Sequence, residues 1–336
     1  MSDDVRYHWQ VLDAGPLLLD GGGMFGLIPR VVWSRVVEAD EKNRIALRHN
    51  CLLLTSTEPD PALGRPRRVV IETGSGDKLN AKMSSVFGLG DRTIEHALRE
   101  VGVEPDEIDD VVVSHLHFDH AGGLTRRPRA GETPDWTPDG PPSSEADEIG
   151  VRLTFPNATV HVQAIEWNTA IANNSVMTKT YYRDHLDPIQ PRLRLAESPT
   201  AFQHDRIPNR GERPASSVED RCTEALPGVQ VFLASGHTWG QQAVLFHGPD
   251  GSPVLFTPDV LPTAWHVGAT YSLAYDVEPY TSMVTKRWLL HDAAERGWTL
   301  VLDHDPLTPV VRVRPESDWF ALEPVEGPIA GRGGPS

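Results

Sequence analysis

Val111-Val112-Val113-Ser114-His115-Leu116-His117-Phe118-Asp119-His120 is an apolar β-branched run that ends in four side chains able to bind a metal. Histidine is scarce in this chain, 14 in 336 residues, yet three fall between positions 115 and 120. A strand end crowded with imidazoles has little to offer packing, because each buried ring needs its own hydrogen-bond partner. Alternation along an extended segment turns His115 and His117 to the same side, and a tight loop lets Asp119 and His120 face elsewhere. Donors facing two directions suit two adjacent ions. At about four donors per ion the loop supplies only part of the set, so further ligands are expected downstream.

Strand ends elsewhere supply them. Ser235-Gly236-His237-Thr238 follows the apolar run 229–234, and the glycine permits a sharp turn that aims the imidazole. Thr257-Pro258-Asp259 follows Val254–Phe256, and a carboxylate can bridge two ions through its two oxygens. Asp303-His304-Asp305 follows Leu300–Leu302. Each stretch alone reads equally well as a turn; together they have the number, type and placement that two metal positions need. Of the other histidines, His266 stays open as a site residue because it closely follows Asp259. The remainder, His49, His96, His161, His185, His204, His247 and His291 among them, are read as surface or core.

The surrounding pattern is of strands with helices between them. Arg44–Leu54, Val69–Ile71, Val160–Val162, Val229–Ala234, Ala243–Phe246, Val254–Phe256 and Trp298–Leu302 read as strands. Apolar spacing predicts helices over Asp91–Val101, capped by Asp91, over Ala164–Ile171, and over Thr281–Arg296, closed by Gly297. This order fits an α+β sandwich, two sheets with helices outside. No low-complexity linker divides the chain, so a single domain is expected. Its core spans about residues 18–306, with a proline-rich insertion at 126–149 and a second insertion at about 173–218 on the substrate side. The glycine- and proline-rich tail 324–336 is expected to fray.

Composition narrows the function. Thirty-one basic against 47 acidic side chains leave a formal charge of −16, which repels phosphate backbones and disfavours a nucleic-acid partner. Arg65, Arg67 and Arg68, and Arg126, Arg127 and Arg129, sit among prolines and glycines and read as solvated loops. No apolar run approaches a membrane span, and the acidic start lacks a signal-peptide pattern, so a cytoplasmic protein without membrane contact is expected. Cys51 and Cys222 are too few for a disulfide framework and read as small core residues.

The series His115-x-His117-x-Asp119-His120, His237, Asp259 and His304 resembles the metallo-β-lactamase superfamily of metallo-hydrolases. The resemblance implies a four-layer αβ/βα sandwich with a dinuclear site at one edge. It also implies that His115, His117 and His237 hold one divalent ion, that Asp119, His120 and His304 hold the second, and that Asp259 bridges them. Two details, His115–Gly123 and the loop Asp20-Gly21-Gly22-Gly23-Met24-Phe25-Gly26, are similar to the branch holding N-acyl homoserine lactonases and methyl parathion hydrolase-type enzymes. The sequence departs from that branch at three places. Pro262 stands where such lactonases often carry a tyrosine, Trp239 where the histidine turn usually has proline, and Glu72 where aspartate commonly precedes Thr-Gly.

The activity expected is hydrolysis of a small-molecule lactone or carboxylic ester. Two close cations would acidify a shared water for attack on the carbonyl, with Asp119 and Asp259 as the catalytic carboxylates. Met24, Phe25, Tyr181, Trp239, Trp265 and His266 are the candidate substrate-binding residues. A histidine and carboxylate set suits Zn2+, and also iron, manganese or cobalt. A phosphotriester or phosphodiester hydrolase is the alternative on the same apparatus, and an iron-dependent oxidoreductase on the same fold a more distant one. The oligomeric state is left open, a homodimer being compatible with the resemblance.

Overall fold

A computed structural model describes residues 5–138, 150–172, 180–199 and 216–330. Its strands in chain order begin with β1 (Tyr7–Asp20), β2 (Arg44–Asp60), β3 (Arg65–Ile71) and β4 (Asp110–Val112). A small pair follows, β5 (Thr125–Arg126) with β6 (Arg152–Leu153), and then β7 (Thr159–Gln163) and β8 (Leu193–Ala196). The second half supplies β9 (Thr223–Leu226), β10 (Val229–Leu233), β11 (Gln242–His247), β12 (Pro253–Thr257) and β13 (Thr299–Leu302). It ends in β14 (Val310–Glu316), β15 (Trp319–Pro324) and β16 (Ile329–Ala330). One seven-stranded sheet has the order β16-β1-β2-β3-β4-β7-β8, and the other β15-β14-β13-β12-β11-β10-β9.

Side-chain alternation divides these strands between two faces. Val112 points with Leu52, Leu54, Val69 and Ile71 into a core shared with Val231, Val244, Phe256 and Val301 of the other sheet. Its neighbours Val111 and Val113 point the other way, onto Ile94, Ala97 and Leu98 of the helix Ile94–Glu100. Phe232, Leu255 and Leu300 likewise leave the shared core for Val284, Trp288 and Leu289 of the helix Pro279–Arg296. The result is helix, sheet, sheet, helix, the four-layer α+β sandwich expected. Strands β3, β4 and β7 are mutually parallel and covered on both faces, which is why Val69–Ile71 and Val111–Val113 read as continuous apolar runs.

Direction matters more to the site than strand count. In the second sheet β10 and β12 both run antiparallel to β11, and β13 runs parallel to β12. The carboxyl ends of β10, β12 and β13 therefore share one edge, and they lead into His237, Asp259 and His304.

Several expectations need correction. The helix after residue 90 begins at Ile94, with Thr93 rather than Asp91 as its cap; the Thr93 amide bonds the His96 ring at 3.2 Å. The tail does not fray at Pro324, because the Val11 amide donates to Pro328 O at 2.7 Å and β16 pairs in parallel with β1. Residues 331–336, together with 139–149 of the proline-rich insertion and 173–179 and 200–215 of the second, lie outside the described residues. Within the second insertion, β8 is the edge strand of the first sheet. Of the arginine clusters, the first lies on a strand and not in a loop, and Arg126 of the second lies on β5, while Arg127 and Arg129 are exposed in a loop as expected. Arg67 lies on β3 and pairs with both Asp60 and Asp110, Arg65 pairs with Asp109 at 2.7 Å, and Arg126 pairs with Glu132. No helix among the described residues is long and apolar enough to cross a membrane.

Candidate metal centre

Seven buried side chains converge where the edges of the two sheets meet. His115, His117, Asp119 and His120 leave β4 on a loop that turns into the short helix Phe118–Ala121; His237, Asp259 and His304 come from the second sheet. His117 Nδ1 lies 3.1 Å from His115 Nε2 and 3.0 Å from His237 Nε2. His304 Nε2 lies 3.3 Å from His120 Nε2, and Asp119 Oδ2 is 3.8 Å from each of those two nitrogens. Asp259 stands between the groups. Its Oδ2 is 2.9 Å from His237 Nε2, 3.6 Å from His120 Nε2 and 4.0 Å from His115 Nε2, while its Oδ1 is 3.4 Å from His304 Nε2.

The outward nitrogens of four of the five rings are fixed in place, while His117 Nε2 is buried without a partner. His304 Nδ1 meets the Arg48 carbonyl at 2.8 Å, and a carbonyl can only accept, so the Nε2 lone pair faces inward. His237 Nδ1 meets Asp276 at 2.9 Å, His120 Nδ1 meets Glu72 at 3.1 Å, and His115 Nδ1 meets the Ser114 hydroxyl at 2.9 Å. Such partners set the tautomer and raise ligand basicity. Glu72 also accepts from the Ser114 amide across the β3–β4 gap, and it takes a positive φ of 66° to do so. A left-handed glutamate is uncommon and carries strain, here at the base of the cluster.

Inward-facing lone pairs at these separations repel unless a proton or cation lies between them. In the bare protein the protons are shared unevenly. Burial, helped by neighbouring imidazoles, pushes His115 and His117 well below the ordinary histidine value. Burial acts against charge on His237 too, but Asp259 and Asp276 overcome it and hold that ring up to about 10. Burial is likewise outweighed at His120, which Asp119, Glu72 and Asp259 hold above the ordinary range. Asp259 Oδ1 is buried without a hydrogen bond. Within this cluster two donor groups meet the spacing a bound cation needs, His115, His117 and His237 in one, and His120, Asp259, Asp303 and His304 in the other. Crowded nitrogen lone pairs, an orphaned carboxylate oxygen and orienting partners behind the rings fit divalent cations.

Among the substrate-side candidates, Tyr181 lies against His117, ring centroids 5.2 Å apart. Met24 and Phe25 are fully buried, and Phe25 is sandwiched between Trp33 and His266. Gly21–Phe25 forms a short helix capped by Asp20 where a loop was expected, and His266 bonds the Met24 carbonyl at 2.7 Å, tying that helix to the segment after Asp259. Trp265 is half-buried beside that cluster, and Trp239 donates its indole N–H to Glu278 at 2.9 Å.

Sequence reasoning passed over Asp276 and Glu166. Glu166 is fully buried and accepts from the Leu116 amide at 3.0 Å, the Thr238 hydroxyl at 2.6 Å and the Tyr181 hydroxyl at 3.4 Å. One carboxylate thus pins the His115–His117 loop to the His237 turn. Glu166→Ala leaves a buried amide unpaired, at about 1–3 kcal/mol for that group alone. Its urea midpoint should fall clearly below that of Glu166→Gln, which keeps an acceptor for Leu116; equal midpoints would remove the tie from the account.

Residues 49–170 match the metallo-beta-lactamase superfamily, and this segment carries the His115–His120 motif. The chain has the metallo-beta-lactamase fold, which implies divalent metal binding. It is 25% identical to the N-acyl homoserine lactonase of Bacillus thuringiensis over 214 residues, 62% of each chain. It is 28% identical to N-acyl homoserine lactonase AttM of Azorhizobium caulinodans over 181 residues, 46% of this chain and 64% of that one. The matches therefore span less than two thirds of these relatives' length. Among solved structures, a probable metal-dependent hydrolase from Staphylococcus aureus superimposes with a TM-score of 0.72 at 25% identity, over 95% of this chain and 97% of that one. AidC, a dizinc quorum-quenching lactonase, shares the fold with a TM-score of 0.62 at 16% identity, over 96% and 99% of the two chains.

Proposed function

We propose that the protein is a dinuclear metal-dependent hydrolase of small lactones or carboxylic esters, with His115, His117 and His237 around one ion and Asp119, His120 and His304 around the other. The observation that carries this reading is Asp259, which stands between the two histidine groups with Oδ2 2.9 Å from His237 Nε2 and 3.6 Å from His120 Nε2, and Oδ1 3.4 Å from His304 Nε2. Two bound divalent cations supply Lewis acidity to a carbonyl and acidify water at neutral pH. The protein's part is placement. Asp276, Glu72, Ser114 and the Arg48 carbonyl keep the imidazoles oriented, and burial keeps the donors out of bulk water. Asp119 is an ionisable oxygen beside both His120 and His304, placed to pass a proton to a departing alkoxide. The lactonase relatives favour a lactone over the phosphotriester alternative.

Metal analysis of purified protein, paired with a panel of lactones, carboxylic esters and phosphotriesters, tests this reading. About two ions per chain with chelator-sensitive lactone turnover is the expected result. Phosphotriester turnover alone would shift the substrate class, and one ion or none would end the dinuclear reading.

Metal uptake should also depend on pH. His237, held up to about 10 in the metal-free state, is protonated at pH 7 and must lose that proton to ligate. Apparent affinity at its position therefore rises with pH, by about tenfold per unit for one displaced proton, and continues to rise toward pH 10. Competition with a chelator at pH 6, 7 and 8 measures the slope; a flat profile would show that His237 is not displaced.

A further inference from the structure

Asp303 has a buried carboxylate that the seven-residue set leaves unused. Its side chain is 2% exposed, and neither oxygen receives a hydrogen bond. The nearest inward-facing imidazole nitrogen is His304 Nε2 at 3.9 Å, too far for a hydrogen bond but suited to a donor that shares an ion; His120 Nδ1, 4.0 Å away, is occupied by Glu72. The carboxylate is enclosed, away from bulk water, on a backbone that is itself held. The Asn50 backbone amide donates to the Asp303 carbonyl at 2.7 Å, and its side-chain amide donates to Leu302 O at 2.9 Å and Asp305 O at 2.8 Å. The backbone is thus clamped on both sides of residue 303. Among the described residues, Asp303 groups with His120, Asp259 and His304 as donors within 4.8 Å of one another.

A buried carboxylate with no donor costs several kcal/mol unless neutralised, and a cation is the partner this neighbourhood is shaped to hold. We propose that Asp303 is a direct oxygen ligand of the ion held by His120 and His304, completing an oxygen-rich position beside the nitrogen-rich one of His115, His117 and His237. This rests on the dinuclear reading above.

The test is cobalt substitution in the full chain. Asp303→Asn should weaken retention of the second cobalt against a chelator by at least about 100-fold, more than loss of an orienting partner usually brings. It should also alter the visible bands of that ion and leave those of the first unchanged. Asp303→Cys gives the independent readout. If position 303 touches the ion, a thiolate-to-cobalt charge-transfer band appears in the near ultraviolet, absent from the parent protein and absent when one equivalent is loaded. Two ions in parent and variants with equal retention, and no new band, would overturn the Asp303 assignment alone. A parent protein holding fewer than two ions would overturn the assignment and the dinuclear reading together.

Discussion

Asp259→Ala should reduce bound metal from about two ions per chain toward one or none and lower hydrolysis by about 10³-fold or more. That factor corresponds to the several kcal/mol expected when paired-ion stabilisation is lost. Asp259 Oδ1 and Oδ2 face His304 and His237 respectively, so no other single side chain described here touches both groups as closely. The bare fold should survive the change. Without Asp259, His237 loses the stronger of the two carboxylates that hold it near 10 and keeps Asp276 as its partner, so no unpaired cation is stranded in the core. Circular dichroism of the metal-free variant checks that point, and metal content read beside turnover checks the role itself. A variant that keeps both ions and its rate would end the bridging assignment.

Gly236→Ala should be the most damaging substitution that removes no ligand. Gly236 has φ +139, and a Cβ there would lie 2.5 Å from Ser282 Cα at the start of the helix Pro279–Arg296. The contact is with backbone, and the backbone is held: Glu278 N donates to Gly236 O at 2.9 Å and Val277 N to His237 O at 3.1 Å. Relief requires moving either the helix or the His237 turn. A loss of about 3–5 kcal/mol in unfolding free energy follows from combining overpacking with an unfavourable backbone angle. First-site metal affinity should fall with it. Gly297→Ala is the control. There φ is +67 but nothing lies within 4 Å of the added carbon, so only the left-handed penalty of about 1–2 kcal/mol applies. Equal losses at the two glycines would show that the close approach to Ser282 is unimportant.

Both positions were legible in part. The apolar runs that became β4, β10, β12 and β13 are buried on both faces, so hydrophobicity marked them and the residues after them stood out. Helix Pro279–Arg296 carried its own stop signal in Gly297. β1 was missed because its alternation is broken: the pairing with β2 shifts between Asp13 and Pro16, and Gly15 sits there with φ +119. β16 was missed because two residues among prolines and glycines carry no pattern, and what holds them is a partner more than 300 positions away. The same applies to Asp276 and Glu166, which act through side-chain bonds to His237 and to Leu116 and Thr238 across 39, 50 and 72 positions. Pattern reads faces of strands and helices; it does not read which distant loop closes over which.

The split origin of the cluster bears on how the molecule forms. His115 to His120 hang from one sheet, while His237, Asp259 and His304 hang from the other, and the two sheets meet through a common apolar layer. A partly folded chain with only one sheet in place would own half the donors and bind an ion weakly at best. Recovery of tight metal binding during refolding would then mark the final docking step, arriving after backbone structure returns and dating the moment when the two halves of the chain join.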